Sequence, residues 1–543
     1  MSAIAAVLLP IVAAAALLLP GRSRRAALVV APWLPLVLLW PTWTGGGCAC
    51  GDLLLGLQLG ADPVTQPLIL LCALAWTAAG WFARDRVADR PVLFWGGWLV
   101  SFSGMALLLL ARDLGGLYVG YAALSLASWL LVVHAGTSAA RRAGRVYLVM
   151  ALLGEMAVFA GVVAIVAEAG NVTLLPLTAP VALAADWVWL LFAGYAVKMG
   201  MLGLHLWLPL AHPVAPVPAS AILSGVIVKA GLVGWLRLVP PGSGMEAFAG
   251  VLLVLGLVTA FGGVALGLAQ DRIKVVLAYS TISQMGLVLA GFAALLGTDR
   301  PLAAYAWLGV LVLHHGLNKA SLFLACGCAP GRSRWRGLLI ALPSLALAGA
   351  PLTTGVLGKH GLKTLFGEAG LDGGWTLALS LSSTATALLL WRFWRLARAE
   401  TGSQPAHPAW VALTALAVSV PWAWAAWMSL DVAYPLTHVA SAVWPLALAA
   451  LLIASAARLP LPGLRIPPGD LVVLFEPLLA TLAGWLHALG GPAPPARLRA
   501  SGRPGHAFIR ASERYLRAIP VAGFLILAVG AAMWLLSGLG RAA

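Results

Sequence analysis

The sequence predicts an all-α polytopic membrane protein. Hydrophobic runs of about 20 residues, the length of a bilayer-crossing helix, recur from one end of the chain to the other. Of the 543 residues, 61% are apolar and only 10% are charged. We count roughly sixteen such runs, so about 14–16 transmembrane helices are expected, and no sizeable soluble domain remains between them.

The predicted spans follow one another along the chain. Their ranges are 2–20, 26–42, 64–83, 92–111, 114–133, 147–168, 183–203, 219–240, 248–268, 276–296, 302–326, 337–358, 372–397, 408–428, 439–457 and 518–538. The first run has no basic residue before it and is too long for a cleaved signal, so it is expected to stay as a helix.

The positive charge of the chain is a topology signal. The net charge is +16, but the basic residues lie mainly in alternate loops. The clusters are Arg22, Arg24 and Arg25; Arg84, Arg86 and Arg90; Arg141, Arg142 and Arg145; Arg272 and Lys274; Arg332, Arg334 and Arg336; Arg392, Arg395 and Arg398; and the stretch from Arg458 to Arg517. By the positive-inside rule both termini face outward from a bacterial inner membrane. Membrane topology therefore explains the net positive charge without a nucleic acid partner. Contact with anionic lipid is a secondary effect.

The five cysteines match no metal or cofactor spacing. They are Cys48, Cys50, Cys72, Cys326 and Cys328, and a bridge across one residue would be strained. The chain also lacks motifs for flavin, nicotinamide, iron–sulfur or quinone chemistry. We expect structural or incidental thiols, no metal, no cofactor in this chain and no catalytic residue.

Four lysines fall within hydrophobic spans or at their broken ends: Lys198, Lys229, Lys319 and Lys359. With 28 arginines and six lysines in the chain, composition alone would favour arginine there. Guanidinium stays protonated, whereas a desolvated ammonium can release its proton. Four central charges cost on the order of 10–14 kcal/mol unless they face water or partners. The pattern predicts groups that change protonation, although Lys359 alternatively snorkels to the membrane surface.

Histidines and one acid extend this pattern. His205 follows Lys198 by seven residues and would share its face if the helix continued. His315 precedes Lys319 by four residues, so the two are neighbours on one helix face. Glu155 is the only acid well inside a predicted span. Together these residues predict a buried path of lysine, histidine and glutamate.

Prolines predict interrupted helices beside the lysines. Pro209 and Pro213 follow the 183–203 span, and Pro351 precedes Lys359. Helices broken at membrane depth line cavities in transporters. Segments 92–240 and 248–398 each contain about five spans, and repeats with an odd number of helices have opposite topology, so we predict two inverted five-helix repeats.

The other predicted segments flank these repeats. They are the N-terminal helices in 1–91, further helices in 399–457, a surface segment in 458–517 and a C-terminal anchor in 518–543. Within the surface segment, DLVVLFEPLLATLAGWLHALGG (470–491) is expected to lie along the membrane surface.

Four stretches carry a family resemblance. They are KMGMLGLHLWLPLAHPVAPVPASAILSGVIVKAG (198–231), DRIKVVLAYSTISQMG (271–286), HHGLNKASLFLACG (314–327) and LAGAPLTTGVLGKHG (347–361). In this order and spacing they resemble the antiporter-like proton-translocating subunits of respiratory complex I, group 4 membrane hydrogenases and multisubunit sodium/proton antiporters. The LPLAHP and GAPLTTG forms look most similar to hydrogenase-associated members like subunit 5 of complex I.

The resemblance implies two inverted five-helix repeats around a hydrated axis. It implies that Lys198 is the central lysine on a broken seventh helix and Lys229 the bridging lysine on the eighth. His315 and Lys319 would lie on the eleventh helix, and Lys359 on a broken twelfth helix at the exit side. It also leaves open whether segment 458–517 forms a long lateral helix or a short surface spacer.

One family residue is missing. The fifth helix of the family usually carries a glutamate that pairs with the central lysine, but RDLGGLYVGYAALSLASW has Ala122 there. Either Glu155 on the next helix has taken over this pairing, or the subunit conducts protons poorly and serves in assembly or coupling. We favour the relocated glutamate, because Glu155 would otherwise be an unpaired acid in the bilayer.

The leading functional hypothesis is a proton-translocating membrane subunit of a redox-driven complex, either like NADH:quinone oxidoreductase or like a membrane-bound hydrogenase. Its partners would be other membrane subunits of the family and a peripheral redox module that holds the redox site. Two alternatives remain open. They are a subunit of a secondary cation/proton antiporter and an energising membrane subunit for uptake of a small solute such as inorganic carbon.

Overall fold

The protein is described by a computed structural model. It covers residues 2–44, 47–49, 56–169, 185–239, 246–298, 301–328, 333–400, 404–433, 439–456 and 466–467. In this part of the chain the regular structure is helical, apart from a two-stranded hairpin of β1 (Cys48–Ala49) and β2 (Gln58–Leu59). The predicted all-α fold class is confirmed. The predicted surface helix 470–491 and the anchor 518–538 lie outside the described residues.

Nineteen α-helices follow one another in the described part. The N-terminal group is α1 (Ser2–Ala16), α2 (Arg22–Val30), α3 (Trp40–Thr44) and α4 (Gln66–Arg86). The next group is α5 (Pro91–Leu110), α6 (Leu114–Val133), α7 (Ser138–Ala169), α8 (Ala185–Met199), α9 (Trp207–Val214), α10 (Val217–Gly225) and α11 (Ala230–Leu238). The last groups are α12 (Glu246–Leu268), α13 (Ile273–Leu296), α14 (Pro301–Ala325), α15 (Arg334–Ala348), α16 (Thr354–Glu368) and α17 (Gly374–Ala399), then α18 (Pro408–Trp427) and α19 (Val439–Ala456).

Nine of the described helical stretches are long and apolar enough to cross a membrane, and a bent pair around α2 and α3 makes ten. Of the remaining predicted spans in this part, α1, α8 and α19 are shorter apolar helices, and 337–358 is broken between α15 and α16. α17 has 26 residues but is not among the nine. In three spans, 217–238, 273–296 and 302–325, a stretch of 18 residues is completely buried within the protein. These spans carry Lys229 and Lys319, so both lysines lie inside the protein and away from lipid.

Glycine pairs let neighbouring helices approach closely at two corresponding places. Gly104 of α5 meets Gly120 of α6, and Gly256 of α12 meets Gly286 of α13. A Cβ added at Gly120 or Gly286 would lie 2.5 Å from backbone atoms of the facing helix. No side chain fits at that distance, so glycine is required for both contacts. The first two helices of each predicted repeat therefore pack in the same way.

The two broken helices also end in the same way. α8 stops before Gly200 and α15 before Gly349, and these glycines have φ values of 70° and 82°. In both, the glycine N–H bonds to the carbonyl three residues back, and the following N–H bonds to the carbonyl five residues back. This Schellman arrangement needs a left-handed residue, which glycine provides without steric strain.

The structure corrects the predicted role of two prolines. The helix that carries Lys198 ends at Met199, and Pro209 and Pro213 lie within the following helix, α9. Gly200 makes the break because it reverses the backbone before either proline is reached. Since the helix does not continue, the seven-residue spacing does not place His205 on the helical face of Lys198. Pro351 does lie in the predicted gap, between α15 and α16.

Candidate functional site

All seven residues predicted for the path lie in the described part of the chain. Six are buried to 5% exposure or less, and Lys359 is half-buried. The six are Glu155, Lys198, His205, Lys229, His315 and Lys319. Ionisable groups this deeply buried are functional candidates when they lie within membrane-spanning segments.

Glu155 and Lys198 meet at a shared hydroxyl. The Lys198 ammonium of α8 donates a hydrogen bond to the Ser125 hydroxyl of α6. The Glu155 carboxylate of α7 interacts with the same hydroxyl and electrostatically with Lys198. Ser125 lies nearly one helical turn after Ala122, the position of the missing family glutamate. Glu155 of α7 therefore lies next to Lys198. The two meet near the position on α6 where this chain has Ala122 instead of the family glutamate.

Close helix packing holds this group together. Gly154, next to Glu155, faces Gly194, one turn before Lys198, and a Cβ added at Gly194 would lie 2.6 Å from the Gly154 carbonyl oxygen. Aromatic rings form the other walls of the site. The Lys198 Nζ lies 5.3 Å from the Tyr121 ring centre and 5.7 Å from that of Tyr147. Such cation–π contacts stabilise a charged ammonium away from water.

His205 lies in the gap between α8 and α9. Its Nδ1 accepts a hydrogen bond from the Gly203 backbone N–H at 3.1 Å, and its ring centre lies 5.9 Å from that of Tyr279 on α13. Gly203 has a φ of 89°, so this turn also depends on a left-handed glycine. His205 is therefore placed by the irregular backbone of the broken helix and not by helical periodicity.

Lys229 and Lys319 are connected through α10 and α13. The Lys229 ammonium donates to the Ser224 carbonyl at 2.9 Å, and the Lys319 ammonium donates to the Leu277 carbonyl at 3.3 Å. The Ser224 and Thr281 hydroxyl oxygens are 2.6 Å apart, and the Thr281 hydroxyl donates to the Leu277 carbonyl at 3.0 Å. The Ser224–Thr281 hydroxyl pair therefore links the two backbone segments whose carbonyl groups accept hydrogen bonds from the ammonium groups.

His315 lies close to the same two lysines. It interacts electrostatically with both Lys229 and Lys319. Its two ring nitrogens are buried without a hydrogen-bond partner among the described residues. A buried imidazole of this kind can accept or donate a proton without first breaking a protein hydrogen bond.

His314 extends the chain of groups from α14 to α16. Its Nδ1 lies 2.9 Å from the Thr354 hydroxyl oxygen at the start of α16. Asn318 holds the same histidine through a hydrogen bond to its carbonyl at 2.7 Å. His314 also interacts electrostatically with Lys359, whose ammonium donates to the Ser382 hydroxyl of α17. The break before α16 therefore places Thr354 and Lys359 against the histidine pair of α14.

Two further titratable residues, His212 and Lys274, lie on the side of Lys319 toward the start of α13. His212 of α9 is fully buried and stacks on Phe323 with ring centres 4.5 Å apart. It interacts electrostatically with Lys319 and with Lys274. Lys274 donates to the Ala215 carbonyl at 2.7 Å. The basic cluster Arg272 and Lys274 belongs to the loop predicted to be cytoplasmic, so these groups point from the buried lysines toward that side.

Several members of this arrangement were not predicted from the sequence. His212 lies in the same motif as His205, and His314 adjoins His315, so both could have been found as titratable residues in predicted or broken spans. Lys274 was interpreted only as a topology signal. Ser125 and Thr281 carried no signal, because serine and threonine are common in membrane helices and only tertiary contacts distinguish them.

A buried ion pair lies apart from these lysines. The Asp62 Oδ2 is 2.5 Å from Arg237 Nη1 at the end of α11 and 3.6 Å from Arg112 Nη2. The Asp62 and Arg237 side chains are only 7% and 5% exposed. The pair ties the chain before α4 to the end of the helix that follows Lys229.

Replacing Asp62 by asparagine is expected to lower the free energy of unfolding by about 3–5 kcal/mol, because it leaves a buried guanidinium without its counter-charge. Thermal unfolding of the detergent-purified protein measures this. Asp271→Asn is the matched control, since its 2.6 Å pair with Arg392 is partly exposed and should contribute about 0–1 kcal/mol. Equal losses for the two variants would contradict the structural role of the buried pair.

The fold and these buried groups define a polytopic membrane protein with two sets of titratable side chains in its interior. The chain belongs to the NADH:quinone oxidoreductase/Mrp antiporter transmembrane family, whose model matches residues 111–388. The matched region contains every predicted path residue. The family resemblance seen in the four sequence stretches is therefore confirmed.

Curated relatives match parts of the chain. Hydrogenase-4 component B of Escherichia coli is 32% identical over 246 residues, which make up 43% of this chain and 37% of that relative. NAD(P)H-quinone oxidoreductase chain 4 of a Picosynechococcus species is 31% identical over 282 residues, 50% of this chain and 51% of that relative. The match therefore spans about a third to a half of the length of these relatives.

Two solved structures share the fold. A chain of the Mrp complex from a Dietzia species superposes with a TM-score of 0.68 at 20% identity, covering 98% of this chain and 62% of that one. A chain of the membrane-bound sulfane sulfur reductase, an archaeal respiratory membrane complex, gives a TM-score of 0.67 at 19% identity, covering 82% and 99%. At these identities the likeness concerns the fold.

Proposed function

We propose that this chain is a proton-translocating membrane subunit of a redox-driven complex. The observation that carries the proposal is two groups of buried titratable side chains: Glu155 with Lys198, and Lys229 with Lys319 and His315, a group that continues through His314 to Lys359. A structural role alone would not require lysine at four buried places in a chain so rich in arginine. Lysine is needed where the side chain has to change its protonation state.

The geometry supports stepwise proton transfer. Glu155 favours the protonated form of Lys198, so moving the carboxylate away would release that proton toward the next lysine. Repulsion between like charges then sets the order in which the lysines are protonated. Two ammonium groups roughly 10 Å apart repel by about 1.7 kcal/mol at an effective dielectric of about 20. Protonation of Lys319 therefore disfavours protonation of Lys229 while both face His315. The Ser224 and Thr281 hydroxyls hold in place the backbone carbonyls that accept hydrogen bonds from the two ammonium groups, which fixes the separation of the lysines.

The assembly is part of the proposal. The solved relatives are chains of multisubunit membrane complexes, which supports other membrane subunits as partners. We assign the redox reaction to a peripheral module and no cofactor to this chain. We also place the protein in a bacterial inner membrane with both termini outward, and keep 92–240 and 248–398 as the two inverted repeats.

Proton pumping by the complete complex in proteoliposomes tests the proposal. Redox turnover should acidify one compartment, reported by a pH-sensitive dye, and Lys198→Ala should suppress this signal strongly. Arg398→Gln, which removes an exposed charge on α17, is the control. Full pumping by the Lys198→Ala complex would refute the proposed path.

A secondary cation/proton antiporter subunit is the second candidate, because the matching family model also covers Mrp antiporters. The same vesicles separate the two functions. An imposed sodium gradient that drives proton movement without redox substrate would support antiport, whereas proton movement that requires the redox substrate supports the leading proposal.

A further inference from the structure

A cavity of about 350 Å³ lies between α16, α17 and α19. In the described part of the chain most of its wall is apolar, and its polar residues are basic or carry a hydroxyl, with no carboxylate among them. They are Lys359, His360, Lys363, Thr364, Ser380, Ser383 and Ser441. A cavity of this size falls in the range of small-ligand sites, and its lining is suited to an anion.

The cavity lies near one membrane surface. Lys363 is about five residues from the end of α16, Ser380 about six from the start of α17, and Ser441 about two from the start of α19. At about 1.5 Å per residue these positions lie within roughly 10 Å of the helix ends. Between α16 and α19 the chain crosses the membrane twice, through α17 and α18. The end of α16 and the start of α19 therefore lie at the same membrane surface. This is the depth at which lipid headgroups meet the hydrocarbon region.

Among the described residues that line this cavity, no acidic side chain offsets the charges of its lysines. Lys359 and Lys363 are four residues apart on one helix face and repel each other. The Lys359 ammonium is held by the neutral Ser382 hydroxyl, whereas Lys198 has Glu155. A bound anion would offset the charges of both lysines through charge-assisted hydrogen bonds.

We propose that the cavity between α16, α17 and α19 binds the phosphate group of an anionic phospholipid. α19 packs against α17 and exposes Val443, Leu451 and Leu452, which gives acyl chains an apolar surface beside the cavity. Free phosphate is the other source of the same chemistry. The cavity shares Lys359 with the proposed proton path, but the test measures ligand binding and requires no transport activity.

Native mass spectrometry of the detergent-purified full chain tests the proposal, with phosphatidylglycerol and phosphatidylcholine as probes. Phosphatidylglycerol should bind more tightly, and Lys363→Gln should weaken its binding about tenfold through loss of one charge-assisted hydrogen bond. Lys363→Arg should retain binding. Arg398→Gln, the loss of a charge outside the cavity, should leave it unchanged.

A second variant tests the cavity itself. Ala442→Phe keeps every charge but fills the space beside Ser441, and it should also abolish preferential binding. Binding of inorganic phosphate alone, lost in Lys363→Gln, would support the phosphate site and identify the free ion as its source. Equal binding of both lipids without any phosphate binding, or normal phosphatidylglycerol binding by both Lys363→Gln and Ala442→Phe, would overturn the proposal.

Discussion

Replacing Glu155 by glutamine is expected to reduce proton translocation by about tenfold or more, to the level of Lys198→Ala. Glutamine keeps the shape of the side chain but cannot carry the charge that favours protonated Lys198. A carboxylate about 7 Å from an ammonium stabilises it by about 2.4 kcal/mol at an effective dielectric of about 20, which corresponds to roughly 50-fold in the protonation equilibrium. Initial rates of redox-driven acidification in proteoliposomes measure the effect.

Two controls sharpen this result. Glu368→Gln removes an exposed carboxylate from α16 and should leave pumping unchanged. Combining Glu155→Gln with Lys198→Ala should add little to either single change, because both act on one pair. A fully active Glu155→Gln complex would favour the alternative that this chain serves mainly in assembly or coupling.

Replacing Thr281 by valine is expected to lower proton translocation by about tenfold. The two side chains have nearly the same shape, but valine removes the hydroxyl that joins Ser224 to the Leu277 carbonyl. The backbone segments that receive the Lys229 and Lys319 ammonium groups then lose their connection, and the buried Ser224 hydroxyl loses its partner. Thr281→Ser restores a hydroxyl and should recover most of the rate.

The chain offers a matched control for this change. Ser321 and Thr414 form a second buried hydroxyl pair at 2.7 Å between α14 and α18, outside the contacts between the lysines. Thr414→Val should lower stability by a similar amount, about 1–3 kcal/mol, without a comparable loss of translocation. Equal losses of translocation from both variants would show that Thr281 acts through stability alone.

Much of the site followed from the sequence because charge in an apolar span is conspicuous. Lys198, Lys229 and Lys319 stood out against long hydrophobic runs, and the structure buries all three. The helix break after Lys198 was attributed to Pro209, although Gly200 makes it. A glycine in a membrane helix gives little local signal, since glycine is frequent there and its backbone conformation is set by the hydrogen bonds of the folded chain.

Periodicity in the sequence could not show how Glu155 reaches Lys198. Glu155 and Ala122 lie on different helices, and no periodicity relates them. Only the close approach of Gly154 and Gly194, together with the Ser125 hydroxyl, brings the acid to Lys198. This placement supports the hypothesis that Glu155 replaces the missing family glutamate. The proton translocation rate of Glu155→Gln tests it.

The sequence by itself determined that this is an all-α membrane protein of this family and that Glu155, Lys198, Lys229 and Lys319 lie within its apolar spans. The cost of charge in lipid and the length of the bilayer act on each span locally, so they leave a readable pattern. The tertiary structure alone decided how the groups are connected, through Ser125, Thr281 and His314. These links run between helices far apart in the chain, and their hydrogen-bonding partners exist only once the helices have packed.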